Sequence, residues 1–365
     1  MNFPHRQPGC SIVRPDDGRF ARLAALFLLV TLSSCSSRSP SGSPAVLSPP
    51  VTANTAVVST ESWAFESAEG RLIRTHHYRV FTTETDPNLR DALPVFLERA
   101  LNHYTTAITP LPTPDLKLDT FLMADRAQWQ ALTRHIMGIH AGPYLRIQRG
   151  GFASGGRALL FTIGHRDTLA IAAHEGWHQY TQRTFKHELP VWLEEGLAAY
   201  MEGFIPDPSD IHLPLFRPWA NPERFEQLAG AAASGRLIPL SRLLDISPAA
   251  LLASDTDLAL TYYAQTWALA HFLVDPHAID TGLPTSMPLT RILQDAAAGN
   301  LRQAIDHRHG PGASQLLARE RRGSEAFTTY FTPNLPAAEH AYAAYVQAIV
   351  RGSKDRILAG QRPFD

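Results

Sequence analysis

The sequence predicts an α+β fold in which a small mixed N-terminal sheet with helices precedes a mainly helical half. Residues 61–165 alternate short apolar runs, separated by glycine-rich turns, with helical segments that begin at a capping aspartate. After Tyr200 the chain is predicted to be helical. We therefore predict a sheet subdomain over residues 61–165 and a helical subdomain over residues 166–365, a length sufficient for a large core.

Charge and cysteine content limit the classes of protein to consider. The 365 residues carry a formal net charge of −1 and no long basic run, so nothing in the sequence indicates nucleic-acid binding. The only cysteines are Cys10 and Cys35. Cys10 would be lost with a signal peptide, so we expect neither a disulfide nor a thiolate zinc site, and stability must come from the core.

The N-terminus resembles the signal peptide of a bacterial lipoprotein. Basic residues precede Leu23–Leu32, an apolar run too short to span a bilayer, and the L-S-S-C sequence that ends at Cys35 resembles a lipobox. This resemblance implies that residues 1–35 are a signal segment ending at a lipidated Cys35, which anchors the protein to a membrane. The alternatives are a secretory signal with an incidental cysteine and an uncleaved anchor.

The residues after Cys35 predict where the protein lies. Ser36 stands where lipoproteins of the inner membrane have aspartate, so the resemblance implies an extracytoplasmic protein of the outer membrane that faces the periplasm. Residues 36–60 are rich in Ser and Pro and nearly uncharged, which predicts a disordered tether. The folded region is expected to begin near Glu61.

Alternation and capping predict the individual elements. Asp86-Pro87 and Asp125 have the residue types of helix starts and predict helices that run to Tyr104 and Ile136. The predicted strands are Trp63–Glu66, Leu72–Thr83, Leu116–Met123, Tyr144–Gln148 and Arg157–Ile163. A Pro-rich loop is predicted over Pro206–Pro222, and further helices over Glu223–Ala233, Leu240–Asp245, Leu258–Asp275, Pro288–Ala298, Leu301–His307 and Ala337–Val350.

The most informative stretch is Ala173–Tyr200, which begins with an HExxH pattern formed by His174, Glu175 and His178. At about 100° per residue, the two histidines lie one turn apart on one face of a helix, with Glu175 beside that face. This arrangement lets two imidazoles bind one zinc ion while the glutamate reaches a water molecule. The alternative is an amphipathic helix whose histidines face solvent or satisfy buried partners.

A second helical segment follows over Leu189–Tyr200. Pro190 suits a first-turn helix position. Gly196 costs about 1 kcal/mol relative to alanine inside a helix, so we expect a close backbone approach to the HExxH helix at this position. A catalytic zinc site needs a third protein ligand, and Glu194 and Glu195 are the candidates.

HExxH followed by PxWxxEGxAxY resembles the gluzincin metallopeptidases, especially the aminopeptidase and leukotriene-hydrolase branch and the peptidase-MA-like domains of bacterial proteins. The resemblance covers about residues 61–275. In that pattern the ligand is the glutamate before glycine, which implies that Glu195 binds Zn²⁺ together with His174 and His178. The 16 residues between His178 and Glu195 are slightly fewer than in the aminopeptidases. We interpret Glu194 as a solvated helix charge.

Residues 262–273 are similar to the aminopeptidase stretch YxKGxxLxxxL. The similarity implies that Tyr263 hydrogen-bonds the oxyanion that forms as water attacks, because a phenol donates a hydrogen bond and stays protonated at neutral pH. Gln265 and Thr266 replace the Lys and Gly of the family. The alternatives are a core aromatic residue with a satisfied hydroxyl, or Tyr262 as the residue that faces the site.

Gluzincins also pair an extended substrate with an edge strand above the HExxH helix. Arg157–Ile163 is a candidate for this edge, and an ordinary core strand is the alternative. The helix is predicted over Leu169–Thr184, capped by Asp167 or Thr168. The family's GxMEN stretch is absent from the sequence, so we expect an endopeptidase or an unusual substrate. No aspartate follows Glu195 to orient a zinc-bound histidine, so that partner is unidentified.

Together these motifs predict a zinc-dependent metallopeptidase with a peptide or protein substrate, Glu175 as the general base and Tyr263 as the oxyanion donor. One alternative is a catalytically inactive zinc-binding or scaffolding lipoprotein with a gluzincin-like fold, against which the intact Glu175 argues. Another is a purely structural helical lipoprotein without zinc. The sequence predicts neither an oligomeric state nor the natural substrate.

Overall fold

Six strands of the N-terminal half form a single mixed sheet. They are β1 Val57–Phe65, β2 Ala68–Thr75, β3 Tyr78–Thr82, β4 Leu118–Met123, β5 Gly151–Ser154 and β6 Arg157–Phe161, in the spatial order β1–β2–β3–β4–β6–β5. The structure is a computed structural model, and it describes residues 56–364 apart from 209, 247–250, 252–254, 276–285 and 321. β1, β2 and β3 pair antiparallel, β3, β4 and β6 pair in parallel, and β5 is antiparallel to β6.

Helices cover this sheet and dominate the second half. They are α1 Pro87–Thr106, α2 Arg126–Met137, α3 His165–Thr184, α4 Val191–Met201, α5 Pro222–Ala233, α6 Leu240–Leu243, α7 Thr256–Val274, α8 Ser286–Ala298, α9 Leu301–His309, α10 Gln315–Glu320, α11 Ser324–Tyr330, α12 Leu335–Arg351 and α13 Lys354–Leu358. A hairpin of β7 Phe204–Asp207 and β8 Asp210–Phe216 joins α4 to α5. The predicted α+β class, with an N-terminal sheet and a helical second half, is confirmed.

The aspartates predicted to begin α1 and α2 do cap them. Asp86 accepts a hydrogen bond from the backbone N–H of Asn88, and Asp125 accepts one from the backbone N–H of Gln128. Each carboxylate satisfies a backbone group that the first helical turn leaves without an intrahelical partner. Both helix starts are therefore set by local sequence.

The N-terminal boundary of the fold differs from the prediction. β1 begins at Val57 rather than near Trp63, so the sheet extends into residues predicted as tether. The predicted signal segment, the predicted lipidation site at Cys35 and residues 36–55 of the predicted tether lie outside the described residues. Within the described part of the chain, no helix is both long and apolar enough to cross a bilayer.

Several predicted elements inside the fold are wrong in extent or type. The predicted strand Leu72–Thr83 is two strands, because the chain turns at residues 76–77 between β2 and β3. The predicted strand Tyr144–Gln148 is instead a single 3₁₀ turn at Tyr144–Arg146. The hairpin of β7 and β8 occupies part of the predicted Pro-rich loop over Pro206–Pro222.

The start of α3 also differs from the prediction. The helix begins at His165 and ends at Thr184, as predicted for its end. Its N-cap residue is Gly164, which has a φ of 110°, rather than Asp167 or Thr168. A positive φ favours glycine, so the backbone rather than a capping side chain sets the start of this helix.

α3 and α4 lie in the centre of the molecule. One face of the sheet packs against α1 and α3, and the other face packs against α2. Trp177 and Tyr180 of α3 pack against Tyr104 of α1, and α4 packs between α3 and α7. All eleven residues of α4 are buried, so its polar side chains are enclosed by protein.

Gly196 marks a close approach between α4 and α7. A Cβ atom at this position would lie 2.5 Å from the backbone oxygen of Thr266. The sequence predicted a close approach to the HExxH helix, and that assignment is wrong, because the crowded neighbour is α7. Glycine is nevertheless required at this position for the predicted kind of reason, since two helix backbones lie in contact there.

We expect Gly196→Ala to lower the free energy of unfolding by roughly 1–3 kcal/mol, because α7 must move away and the cost of overpacking exceeds the gain in helix propensity. Gly230→Ala in α5 is the matched control, since its Cβ would have no atom within 4 Å and should stabilise the protein slightly. Denaturant unfolding measures both. Equal stabilisation by the two substitutions would contradict the close approach.

Candidate metal centre

Three donor atoms from α3 and α4 meet in the core. The Nε2 atoms of His174 and His178 are 3.2 Å apart. Oε2 of Glu195 lies 3.5 Å from Nε2 of His174 and 3.4 Å from Nε2 of His178. The two histidines lie one turn apart on α3, and α4 packs across that face to bring the glutamate to them. All three side chains are buried.

This triangle has the size that a tetrahedral metal site requires. Ligand atoms about 2.0–2.2 Å from a zinc ion would be separated by about 3.3–3.6 Å at tetrahedral angles. Both oxygens of Glu195 are buried and form no hydrogen bond within the described residues, an arrangement that is costly unless a cation compensates it. His174, His178 and Glu195 therefore fit a metal ion and can bind one.

Each histidine is oriented by a carboxylate at its other ring nitrogen. Nδ1 of His174 lies 2.6 Å from Oε1 of Glu202, and Nδ1 of His178 lies 3.0 Å from Oε1 of Glu194. A carboxylate at Nδ1 holds the proton there and leaves the lone pair of Nε2 for a metal. Both Nε2 atoms face Glu195, which is the arrangement that a metal site needs.

Glu194 is not the solvated helix charge that the sequence predicted. Its side chain is buried, and Oε1 accepts a hydrogen bond from the hydroxyl of Thr181 at 2.6 Å in addition to its contact with His178. The prediction failed because α4 has no solvent-exposed face. Glu194 therefore orients one histidine, whereas the adjacent Glu195 supplies a donor atom.

Glu202, directly after α4, is the ligand partner that the sequence did not identify. Its Oε1 faces His174 and also accepts a hydrogen bond from Nη2 of Arg224 at 3.0 Å. Its Oε2 accepts a hydrogen bond from Nδ2 of Asn221 at 2.6 Å. Asn221 and Arg224 lie 19 and 22 residues beyond Glu202 in the chain, a spacing that no local pattern reveals.

The charges of the centre compensate one another. Burial alone would raise the pKa of the Glu195 carboxyl, but the imidazoles of His178 and His174 hold it well below its usual range. Burial also opposes the charge of Glu202, yet Arg224 and His174 lower its pKa to about 2. Burial would lower the pKa of both imidazoles, but Glu195 and Glu202 raise that of His174, and Glu195 and Glu194 raise that of His178. The carboxylates are therefore ready to bind positive charge.

Glu175 lies close to the donors but is not one of them. It is fully buried, and its carboxylate interacts with the backbone of Ala153 in β5. Burial raises the pKa of this carboxyl, although the imidazoles of His174 and His178 act in the opposite direction. A buried carboxyl with a raised pKa beside a metal site has the properties of a group that exchanges protons.

The sheet edge next to α3 is β5 rather than β6. The predicted edge, Arg157–Ile163, corresponds to β6, which lies between β4 and β5 and is therefore internal. β5 packs against α3, and the backbone of Ala153 in β5 interacts with Glu175. The sequence did not predict β5 because this strand has only four residues and adjoins glycines on both sides.

Tyr263 of α7 is buried near the carboxylates of Glu195 and Glu175. Burial raises the pKa of its phenol well above the usual value, and the charges of Glu195 and Glu175 raise it further. Its ring packs edge-on against Tyr262, with centroids 5.9 Å apart, and the Cζ atom of Arg224 lies 5.4 Å from its ring centroid. Tyr263 is thus a protonated donor located near both Glu175 and Glu195.

Comparison with known proteins adds no identification. Neither the family models nor the curated proteins that were searched match this chain. The resemblance to gluzincins therefore depends on the motif residues alone. Within the described residues, the group of His174, His178 and Glu195 is the only set of three or more His, Cys, Asp or Glu side chains positioned to hold a metal ion.

Proposed function

We propose that the protein is a zinc-dependent metallopeptidase that hydrolyses peptide bonds. The observation that carries this proposal is the position of Glu175, a buried carboxylate beside three donor atoms to which it does not belong. A site that only stored a metal would not need this additional carboxylate. Together with the gluzincin-like motifs, it supports hydrolysis as the function.

The donor set supports zinc as the metal. Two imidazoles and one carboxylate form the set that catalytic zinc sites of peptidases use, and such a set would leave a bound zinc ion a further position for water or substrate. A zinc ion held by these three side chains would polarise the scissile carbonyl and make a water molecule more acidic. The remaining chemistry belongs to side chains of the protein.

Three side chains then have distinct roles in hydrolysis. Glu175 accepts the proton of the attacking water and passes it to the leaving amine. Tyr263 donates a hydrogen bond to the oxygen on which negative charge develops. Glu194 and Glu202 hold the two imidazoles in the required orientation.

β5 supports an extended peptide as the substrate. It is an edge strand, and it packs against α3, which carries the HExxH residues. An extended chain can add to such an edge through backbone hydrogen bonds, which recognise peptides with little regard for sequence. Since no GxMEN stretch occurs to hold a free amino terminus, we propose endopeptidase activity, in a protein that a lipid on Cys35 anchors at the periplasmic side of the outer membrane.

Metal analysis and hydrolysis of the full-length protein in detergent test this function. We expect zinc in a one-to-one ratio to protein and cleavage of a quenched fluorescent peptide library whose amino termini are blocked. A chelator should abolish cleavage, and added zinc should restore it. Bound zinc without any cleavage would favour the inactive zinc-binding or scaffolding protein, whereas a protein that takes up no zinc would contradict both functions.

A further inference from the structure

Arg224 is a buried cation that contacts two parts of the centre. Its side chain is 1% exposed. Its Nη2 donates a hydrogen bond to Oε1 of Glu202 at 3.0 Å, and that oxygen lies 2.6 Å from Nδ1 of His174. Its Cζ atom also lies 5.4 Å from the ring centroid of Tyr263. One side chain therefore connects a metal-binding histidine with the proposed oxyanion donor.

We propose that Arg224 is a positioning residue that couples metal binding to oxyanion stabilisation. Through Glu202 it fixes the imidazole of His174, and over the ring of Tyr263 it fixes the phenol and strengthens it as a donor. The first effect depends only on the metal centre, whereas the second rests on the proposed function.

The hydrogen bonds of Glu202 explain the first effect. Its Oε1 is shared by His174 and Arg224, and its Oε2 accepts from Asn221. Asn221 is also the N-cap of α5, where its side chain accepts a hydrogen bond from the backbone N–H of Arg224. The first turn of α5 therefore holds both oxygens of Glu202, so the carboxylate cannot rotate away from the imidazole without breaking these bonds.

The guanidinium group explains the second effect. Its edge donates to a carboxylate while its plane can lie against an aromatic ring, a combination that the compact ammonium of lysine does not offer. A cation against the ring of Tyr263 withdraws electron density from the phenol. Although burial and Glu195 raise the pKa of Tyr263, Arg224 acts in the opposite direction and lowers it. A phenol affected in this way donates a stronger hydrogen bond.

Arg224→Lys and Arg224→Met separate the two effects in the full-length protein. Zinc affinity is measured by chelator competition, and kcat is measured with the best substrate from the peptide library. Lysine keeps a positive charge beside Glu202, so we expect zinc affinity to stay within about threefold of wild type while kcat falls by about tenfold. Methionine removes both contacts, so we expect it also to weaken zinc binding by about 10–100-fold.

Two backgrounds test whether Arg224 acts through the named side chains. In Tyr263→Phe, Arg224→Lys should cause no further fall in kcat, and in Glu202→Gln, Arg224→Met should weaken zinc binding by less than about threefold. The Glu202→Gln, Arg224→Met double variant removes the buried carboxylate together with the buried guanidinium. It therefore gives a folded reference if Arg224→Met alone does not fold. Arg79→Met, which breaks an ion pair with Asp119 on the sheet, is the control and should leave both quantities unchanged.

The coupling would be overturned if Arg224→Lys lowered kcat as much in Tyr263→Phe as in wild type and Arg224→Met weakened zinc binding as much in Glu202→Gln as in wild type. An Arg224→Lys protein with wild-type kcat would also overturn it. In either case Arg224 would have only a general structural role. The zinc measurements do not need hydrolysis. A wild-type protein that binds zinc but cleaves nothing would refute the proposed function and the effect on Tyr263. The effect on His174 would still be decided by the Glu202→Gln comparison.

Discussion

Replacing Glu175 by glutamine is expected to lower kcat by about 10²–10⁴-fold while zinc remains bound. Glutamine has the shape of glutamate but cannot accept the proton of the attacking water. Glu175 is not among the three side chains whose donor atoms form the metal triangle, so the zinc affinity should stay close to that of wild type. Cleavage of the peptide library, together with metal analysis of the same preparation, measures both quantities.

Glu226→Gln is the matched control for this substitution. Glu226 is an exposed carboxylate that pairs with Lys354, so its neutralisation should change neither kcat nor zinc content. A Glu175→Gln protein that cleaves peptides at the wild-type rate would exclude Glu175 as the general base. Loss of zinc from a folded Glu175→Gln protein would instead show that this carboxylate helps to hold the metal, contrary to the geometry of the donors.

The donor atoms of the centre could be predicted because the pattern that carries them is local. The spacing of His174 and His178 follows from one helical turn. Glu195 was chosen over Glu194 only because of the resemblance to the family pattern, in which the ligand precedes glycine. The caps Asp86 and Asp125 were predictable for the same reason. For the two histidines and the two caps, the sequence within a few residues determines the geometry.

The environment of the donor atoms could not be predicted, because it depends on contacts between distant segments. Glu202 depends on Asn221 and Arg224 in α5. Glu194 has the residue type of a surface charge, and only the burial of α4 shows that it orients a histidine. β5 is a strand only because β6 lies beside it to pair with it.

Replacing Glu195 by alanine is expected to have the largest effect on metal binding. One of three protein ligands is lost, and the two remaining imidazoles face a cavity without a compensating carboxylate. We expect zinc to be absent from the purified protein and peptide cleavage to disappear with it. Metal analysis of protein supplied with zinc during purification measures the first effect.

Glu194→Ala distinguishes a donor from a residue that orients a donor. Glu194 contacts Nδ1 of His178 and the hydroxyl of Thr181, so its loss should weaken zinc binding by about 10–100-fold without abolishing it. The expected affinity for zinc is highest in wild type, lower in Glu194→Ala and lowest in Glu195→Ala. The reverse order for the two variants would exchange the roles of the adjacent glutamates. Wild-type zinc content in a folded Glu195→Ala protein would exclude Glu195 from the ligand set, and with it the tetrahedral site on which the hydrolytic mechanism depends.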